Sequence, residues 1–272
     1  MAAGIDYAVT ALFVPGDRPD RFEKAVATGA DLVIIDLEDA VPLDAKSDAR
    51  ANAVRALAGL EAAVRVNPLA EGGLADAEAL AGISTLRAVM LPKSERAEDV
   101  AALRAVLGDG VPIIALIETA LGVRGVDAIA QSAGVARLAF GALDLSADLN
   151  ATSRSLLDQV RIELVLASRV AGLAAPLESP DPDFRDLEAL TVMARQSSSL
   201  GFGGQLCIHP AQVAAVEEGF APSSEEIAWA QRVVEASRGG AVQLEGTMVD
   251  RPVYLRAIAT LSRAGAPRPL IP

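Results

Sequence analysis

Cysteine is almost missing from this chain. Its one thiol, Cys207, allows no internal disulfide, which suits a reducing compartment. Cys207 lies within an apolar run, so a buried, inert thiol is expected. There is one histidine, His209. Without a histidine pair or a cysteine cluster, a zinc site is not expected. Aromatics make up only 3% of 272 residues, while 51% are hydrophobic. The core must therefore be built from Ala, Val, Leu and Ile, as in helices packed on parallel strands. Basic residues are outnumbered, and the net charge is −12. That argues against a nucleic-acid surface, which needs clustered Lys and Arg. No apolar run reaches the ~18 residues of a membrane span. The start of the chain lacks the basic and apolar segments of a signal peptide, so a cytoplasmic location is expected. No GxGxxG or P-loop pattern is present.

What is present is alternation. Strand-like runs occur at Ala8–Val14, Asp31–Asp36, Ala62–Asn67, Ala88–Leu91, Val111–Ile117, Val135–Gly141, Leu173–Leu177 and Gly203–Ile208. Helical patterns separate them, including Asp44–Leu57, Leu74–Leu80, Leu156–Val170 and Leu187–Ser198. Asp17 and Ser94 are candidate helix caps. Eight such signals predict a closed (β/α)8 TIM barrel over residues 1–222, rather than an open sheet. Pro176 makes the seventh strand the weakest. Beyond Pro222, Ser223-Ser224-Glu225-Glu226 has the form of a capped helix start. A polar link from Ser237 to Gly246 leads to a last helix ending near Arg263. Residues 223–272 thus form a C-terminal helical extension, surplus to a barrel.

In such barrels, active sites lie at the C-terminal strand ends. There the sequence places Arg18, Asp36, Glu38, Asp39, Arg65, Asn67, Lys93, Glu118, Asp144, Glu178 and His209. Glu118 and Asp144 end neighbouring strands and could hold a hard cation such as Mg²⁺, with waters and a chelating substrate completing the shell. Arg65 suits a substrate carboxylate, or a salt bridge to Glu38 or Asp39. His209, followed by Pro210, suits a structural hydrogen bond at least as well as acid–base work.

Six segments, in order, resemble the citrate lyase beta-subunit family, which includes malyl-CoA and citramalyl-CoA lyases. They are Leu12-Phe13-Val14-Pro15-Gly16-Asp17-Arg18-Pro19, Ile35-Asp36-Leu37-Glu38-Asp39-Ala40-Val41, Val64-Arg65-Val66-Asn67, Met90-Leu91-Pro92-Lys93, Leu116-Ile117-Glu118-Thr119-Ala120 and Cys207-Ile208-His209-Pro210. The resemblance covers Leu12 to Tyr254. It implies a Mg²⁺-dependent (Mn²⁺ as substitute) carbon–carbon lyase that cleaves or forms a 3-hydroxyacyl thioester such as malyl-, citramalyl- or citryl-CoA. The partners would be an acyl-CoA and a 2-oxo acid. It places the metal on Glu118 and Asp144, and Arg65 against the substrate. Gly16, Arg18, Asp36, Glu38, Asp39 and Lys93 fall in its substrate-binding motifs. Asp250, in Met248-Val249-Asp250-Arg251-Pro252, matches the acid that works on the acetyl methyl group, brought in from a neighbouring subunit of a homotrimer or hexamer. The family often carries Glu-Asp where this chain has Leu143-Asp144, and Arg-Ser where it has Val9-Thr10. Two alternatives are an aldolase acting on free hydroxy-oxo acids and a beta subunit active only with acyl-carrier and transferase chains.

Overall fold

A computed structural model describes residues 4–236, 242–244 and 247–265. The chain divides into two compact units, one ending at Gly219 and the other starting at Phe220. The first unit begins with β1 (Thr10–Pro15), α1 (Phe22–Val26), β2 (Leu32–Asp36), α2 (Lys46–Ala56), β3 (Ala62–Arg65) and α3 (Gly73–Leu80). It continues with β4 (Leu86–Leu91), α4 (Ala97–Leu107), β5 (Ile113–Ile117), α5 (Ala120–Ala130) and β6 (Val135–Phe140). It closes with α6 (Ala142–Asp148), α7 (Arg154–Val170), β7 (Ala174–Glu178), α8 (Leu187–Leu200), β8 (Gly204–Cys207) and α9 (Gln212–Phe220). The eight strands pair in sequence order, all parallel, and β8 closes on β1.

The expected (β/α)8 barrel is therefore the observed fold. Its interior is filled by alternate strand residues, among them Ala11, Ile34, Ala63, Met90, Ile114, Leu116, Leu177 and Leu206. Ile5 and Ala8, just ahead of β1, join the same cluster. Arg137 on β6 fastens that entry segment. Its Nη1 donates to the carbonyls of Ile5 (3.0 Å) and Ala8 (2.7 Å), and its Nε donates to that of Ala175 (2.6 Å). Burial pushes its pKa down to about 10. β7 pairs irregularly with β6, with a register shift between Arg137 and Ala139. Pro176 sits in this stretch, as befits a residue with no N–H to give the ladder.

Several local expectations are corrected. Asp17 caps nothing: the chain enters a 3-10 turn at Pro19–Arg21 with no side-chain cap, and α1 starts only at Phe22. The Ser94 hydroxyl donates back to the Leu91 carbonyl at 2.9 Å, while α4 begins at Ala97. The helix expected from Asp44 opens as a 3-10 turn at Leu43–Ala45 and becomes α-helical at Lys46. α6 and α9 were not anticipated.

The second unit holds α10 (Ser224–Ala236), β9 (Val242–Leu244), β10 (Thr247–Val249) and α11 (Arg251–Arg263). α10 begins with a reciprocal capping box: the Glu226 amide donates to Ser223 Oγ at 3.1 Å, and the Ser223 amide to Glu226 Oε2 at 2.8 Å. β9 and β10 pair antiparallel. They lie partly within the stretch expected to be a plain link; Ser237–Ala241 and Glu245–Gly246 of that stretch lie outside the described residues. Ala230, Val233, Val249, Ala257 and Leu261 form this unit's own core.

Candidate active site

β5 and β6 run side by side, with Ile117 opposite Phe140, so Glu118 and Gly141 emerge together at the barrel mouth. Thr119 then caps α5, accepting from the Gly122 amide at 3.1 Å. α6 starts directly after Gly141, where Ser179 Oγ accepts the Ala142 amide at 3.1 Å, and its first turn carries Asp144. Gly141 is needed for close approach. A Cβ there would lie 2.5 Å from the Glu118 Cβ and 2.6 Å from its Oε2.

Glu118, Asp144 and Arg65 line one small hollow of about 50 Å³, with Phe13, Leu116, Leu143, Ser179 and Leu206 also in its wall. Glu118 is buried, and its Oε1 accepts the Lys93 amide at 2.8 Å. Its pKa is pushed up to about 8, first by burial and then by the nearby Glu38 and Asp144 charges. Lys93 adopts a left-handed backbone (φ 45°). Its amide thereby serves Glu118 while its ammonium pairs with Glu38. Burial raises the Glu38 pKa, against the opposing pull of Arg65 and Lys93.

Arg65 is held firmly. Its Nε and Nη2 donate to the two Asp36 oxygens, each at 2.7 Å, and its Nη1 lies 2.9 Å from Glu38 Oε2. The Phe13 ring lies 4.6 Å from its guanidinium carbon. The strand register sets this pair, since Asp36 and Arg65 are direct partners on β2 and β3. The salt bridge to Glu38 is thus present. Asp39 is exposed, and the stronger partner, Asp36, was not foreseen as one. A second buried acid, Asp76, was also missed. It accepts the Asn67 amide (2.9 Å) and Asn67 Nδ2 (2.6 Å), holding the loop after Arg65 in place.

Other expected site residues lie outside this cluster. The Gly16 amide donates to the Asp36 carbonyl at 2.8 Å, and its own carbonyl accepts Asn52 Nδ2 at 3.0 Å. Arg18 is exposed and pairs with Asp20 at 3.3 Å. Glu178 turns away to Arg161 (2.8 Å) and Ser197 (3.0 Å). His209 stacks on Phe184, and its Nδ1 accepts the Ala211 amide at 3.1 Å, a structural role. Asp250 is the exposed N-cap of α11, accepting the Val253 amide at 3.3 Å.

In charge terms, four carboxylates (Asp36, Glu38, Glu118, Asp144) face two cations (Arg65, Lys93), an excess of two negative charges when all are ionised. That excess matches a dication. Among the described residues, no three His, Cys, Asp or Glu side chains converge as a ready-made cage. A hard ion content with two protein carboxylates, water and a chelating ligand fits this donor set.

Residues 10–210 match the HpcH/HpaI aldolase/citrate lyase family. The chain belongs to that family. Its enzyme class is accordingly that of a carbon–carbon lyase. It is 41% identical over 270 residues to a citrate lyase subunit beta-like protein of Mycobacterium tuberculosis, covering 93% of this chain and 94% of that protein. A (3S)-malyl-CoA thioesterase of Cereibacter sphaeroides is 34% identical, covering 94% of each chain. In three dimensions, the family member resembles protein CitE of Mycobacterium tuberculosis, solved with magnesium, acetoacetate and coenzyme A. The TM-score is 0.85 at 38% identity, covering 96% of this chain and 100% of that one. No described helix is long and apolar enough to cross a membrane.

Proposed function

We propose that this lyase is Mg²⁺-dependent and cleaves, or in reverse forms, a 3-hydroxyacyl-CoA, giving an acyl thioester and a 2-oxo acid. One observation carries the reading: Glu118 and Asp144 face the same hollow as Arg65, in a cluster short of two positive charges. Glu118 and Asp144 would hold the ion, and the Lys93 amide, donating to Glu118 Oε1, orients the Glu118 carboxylate. Bound there, Mg²⁺ would supply Lewis-acid polarisation of the oxygen that becomes the 2-oxo group. Asp36 fixes the Arg65 fork, leaving N–H groups of Arg65 to donate to an oxygen gaining charge. Such preorganised donors are worth about 3–4 kcal/mol each in other enzymes.

In cleavage, the substrate hydroxyl releases its proton to solvent water and its oxygen becomes the oxo oxygen. The bond between the hydroxyl-bearing carbon and the thioester α-carbon breaks, and its electron pair stays on the thioester side. Asp250 returns a proton to that carbon, or removes one in the condensing direction. We assign Asp250 to the site of a neighbouring copy in a homotrimer or hexamer, with residues 223–272 as the contributing segment. The exposure of Asp250 at the start of α11 supports this.

The test is a panel of malyl-, citramalyl- and citryl-CoA with and without Mg²⁺, following 2-oxo acid and free thiol separately. Mg²⁺-dependent 2-oxo acid release supports the lyase. Free thiol with intact hydroxy acid would favour a thioesterase, as the Cereibacter relative is named. Mixing inactive Glu118→Gln and Asp250→Asn proteins under subunit exchange should restore part of the activity if Asp250 acts across subunits. No recovery would place it elsewhere.

A further inference from the structure

The two acids assigned to the metal are not held alike. The Lys93 amide orients Glu118. Among the described residues, no hydrogen bond or ion pair holds the Asp144 carboxylate. Its place depends on where α6 lies, since Asp144 is in the first turn of that seven-residue helix. So short a helix is marginal in water on its own, and tertiary ties must fix it.

Two ties do so, one at each end. The first amides of a helix have no partner within it and commonly take one from the side chain of the cap residue just before. Here the cap residue is Gly141, which has no side chain to give, and a Cβ there would run into Glu118. Ser179, just past the end of β7, substitutes for it. Its Oγ accepts the Ala142 amide at 3.1 Å. Ser179 is fixed in turn: its amide donates to Glu178 Oε1 at 2.8 Å, and its carbonyl accepts Gln205 Nε2 at 3.1 Å. At the other end, Asp148 is the last residue of α6, and its Oδ2 accepts the Ala120 amide at 2.7 Å. Ala120 opens α5, directly after Glu118 and Thr119. A carboxylate on the first amide of a helix makes a charge-assisted bond that the helix dipole favours. This bond ties the segment carrying one acid to the segment carrying the other.

We propose that Ser179 and Asp148 are positioning residues of the metal site. They stake α6 at both ends and so keep Asp144 close enough to Glu118 for the two to share an ion. Each acts through the backbone of α6, not by touching the ion. This rests on Glu118 and Asp144 being the metal ligands.

The full chain in its native oligomer is titrated with Mg²⁺ by calorimetry, without substrate, and its Tm is measured in chelator. Ser179→Ala and Asp148→Ala should each raise the Mg²⁺ Kd by about tenfold or more, the usual scale for a lost partner outside the ligand shell. Ser179→Thr and Asp148→Asn keep an oxygen for the same amides and should stay within about threefold of the wild type. A role in folding alone would lower Tm and leave the Kd of the folded protein unmoved. Asp148 is exposed, so its two variants decide the matter should a Ser179 variant not fold. An unmoved Kd in either folded alanine variant would overturn the proposal and leave the metal reading in place. So would Asp148→Asn binding as weakly as Asp148→Ala, because the ion would then be sensing the charge and not the bond. Wild-type protein that binds no Mg²⁺ would defeat the metal reading, and this inference with it.

Discussion

Replacing Glu118 with glutamine should make the metal-free protein more stable while removing its response to Mg²⁺. The carboxyl sits buried beside Glu38 and Asp144, and its pKa rises from the ordinary 4.5 to about 8. Between those values the folded protein keeps a proton that the unfolded chain has lost. The folded state therefore binds more protons, and stability falls as pH rises through this window. At pH 8 the wild type forfeits about 4 kcal/mol relative to a side chain that stays neutral, and at pH 5 about 1 kcal/mol. Glutamine keeps an oxygen for the Lys93 amide and carries no charge. By the usual scaling for a large domain, Glu118→Gln should raise Tm by roughly 10 °C at pH 8 and by only a few degrees at pH 5. The assay is thermal unfolding by circular dichroism in chelator across pH 5–8, repeated with Mg²⁺. Saturating Mg²⁺ at about 100 times its Kd should add about 2.7 kcal/mol to the wild type and nothing to the variant. A variant less stable than wild type at pH 8 without Mg²⁺, or a gain that does not shrink toward pH 5, would refute the reasoning.

Asp36→Asn should cost about 3–5 kcal/mol in urea unfolding, because it leaves the buried Arg65 fork with one charged partner fewer. It should also lower kcat while Mg²⁺ still binds by calorimetry; unchanged stability and turnover would show that Arg65 is held by Glu38 alone. Burial pushes the Cys207 thiol up to about 12, so iodoacetamide at pH 8 should leave the folded protein unmodified by mass spectrometry and label it fully in urea. Fast labelling of the folded chain would contradict its burial.

The barrel was legible because its strands are buried on both faces and read as unbroken apolar runs, as at Ile113–Ile117. Metal candidates were legible for a related reason: Glu118 and Asp144 each follow such a run. What could not be read was who pairs with whom. Asp36 and Arg65 lie 29 residues apart and meet only through the β2–β3 register. A signal existed, since each is the last residue of a strand in adjacent units of the repeat, and it pointed to Asp36 over Asp39. α6 and α9 were missed because they are short, at Ala142–Asp148 and Gln212–Phe220, and follow directly on strand-end motifs whose residues drew attention as site chemistry. Ser94 and Asp17 look like caps in one dimension, but the loops that hold them turn before a helix begins.

Gly141 carries a consequence for anyone altering this protein. The position tolerates no side chain because the space a methyl group would fill is the space through which Glu118 reaches the hollow. Alanine at 141 should therefore disarm the enzyme without touching a single acid or base. A scan restricted to charged residues would pass over one of the most sensitive positions in the mouth of the barrel.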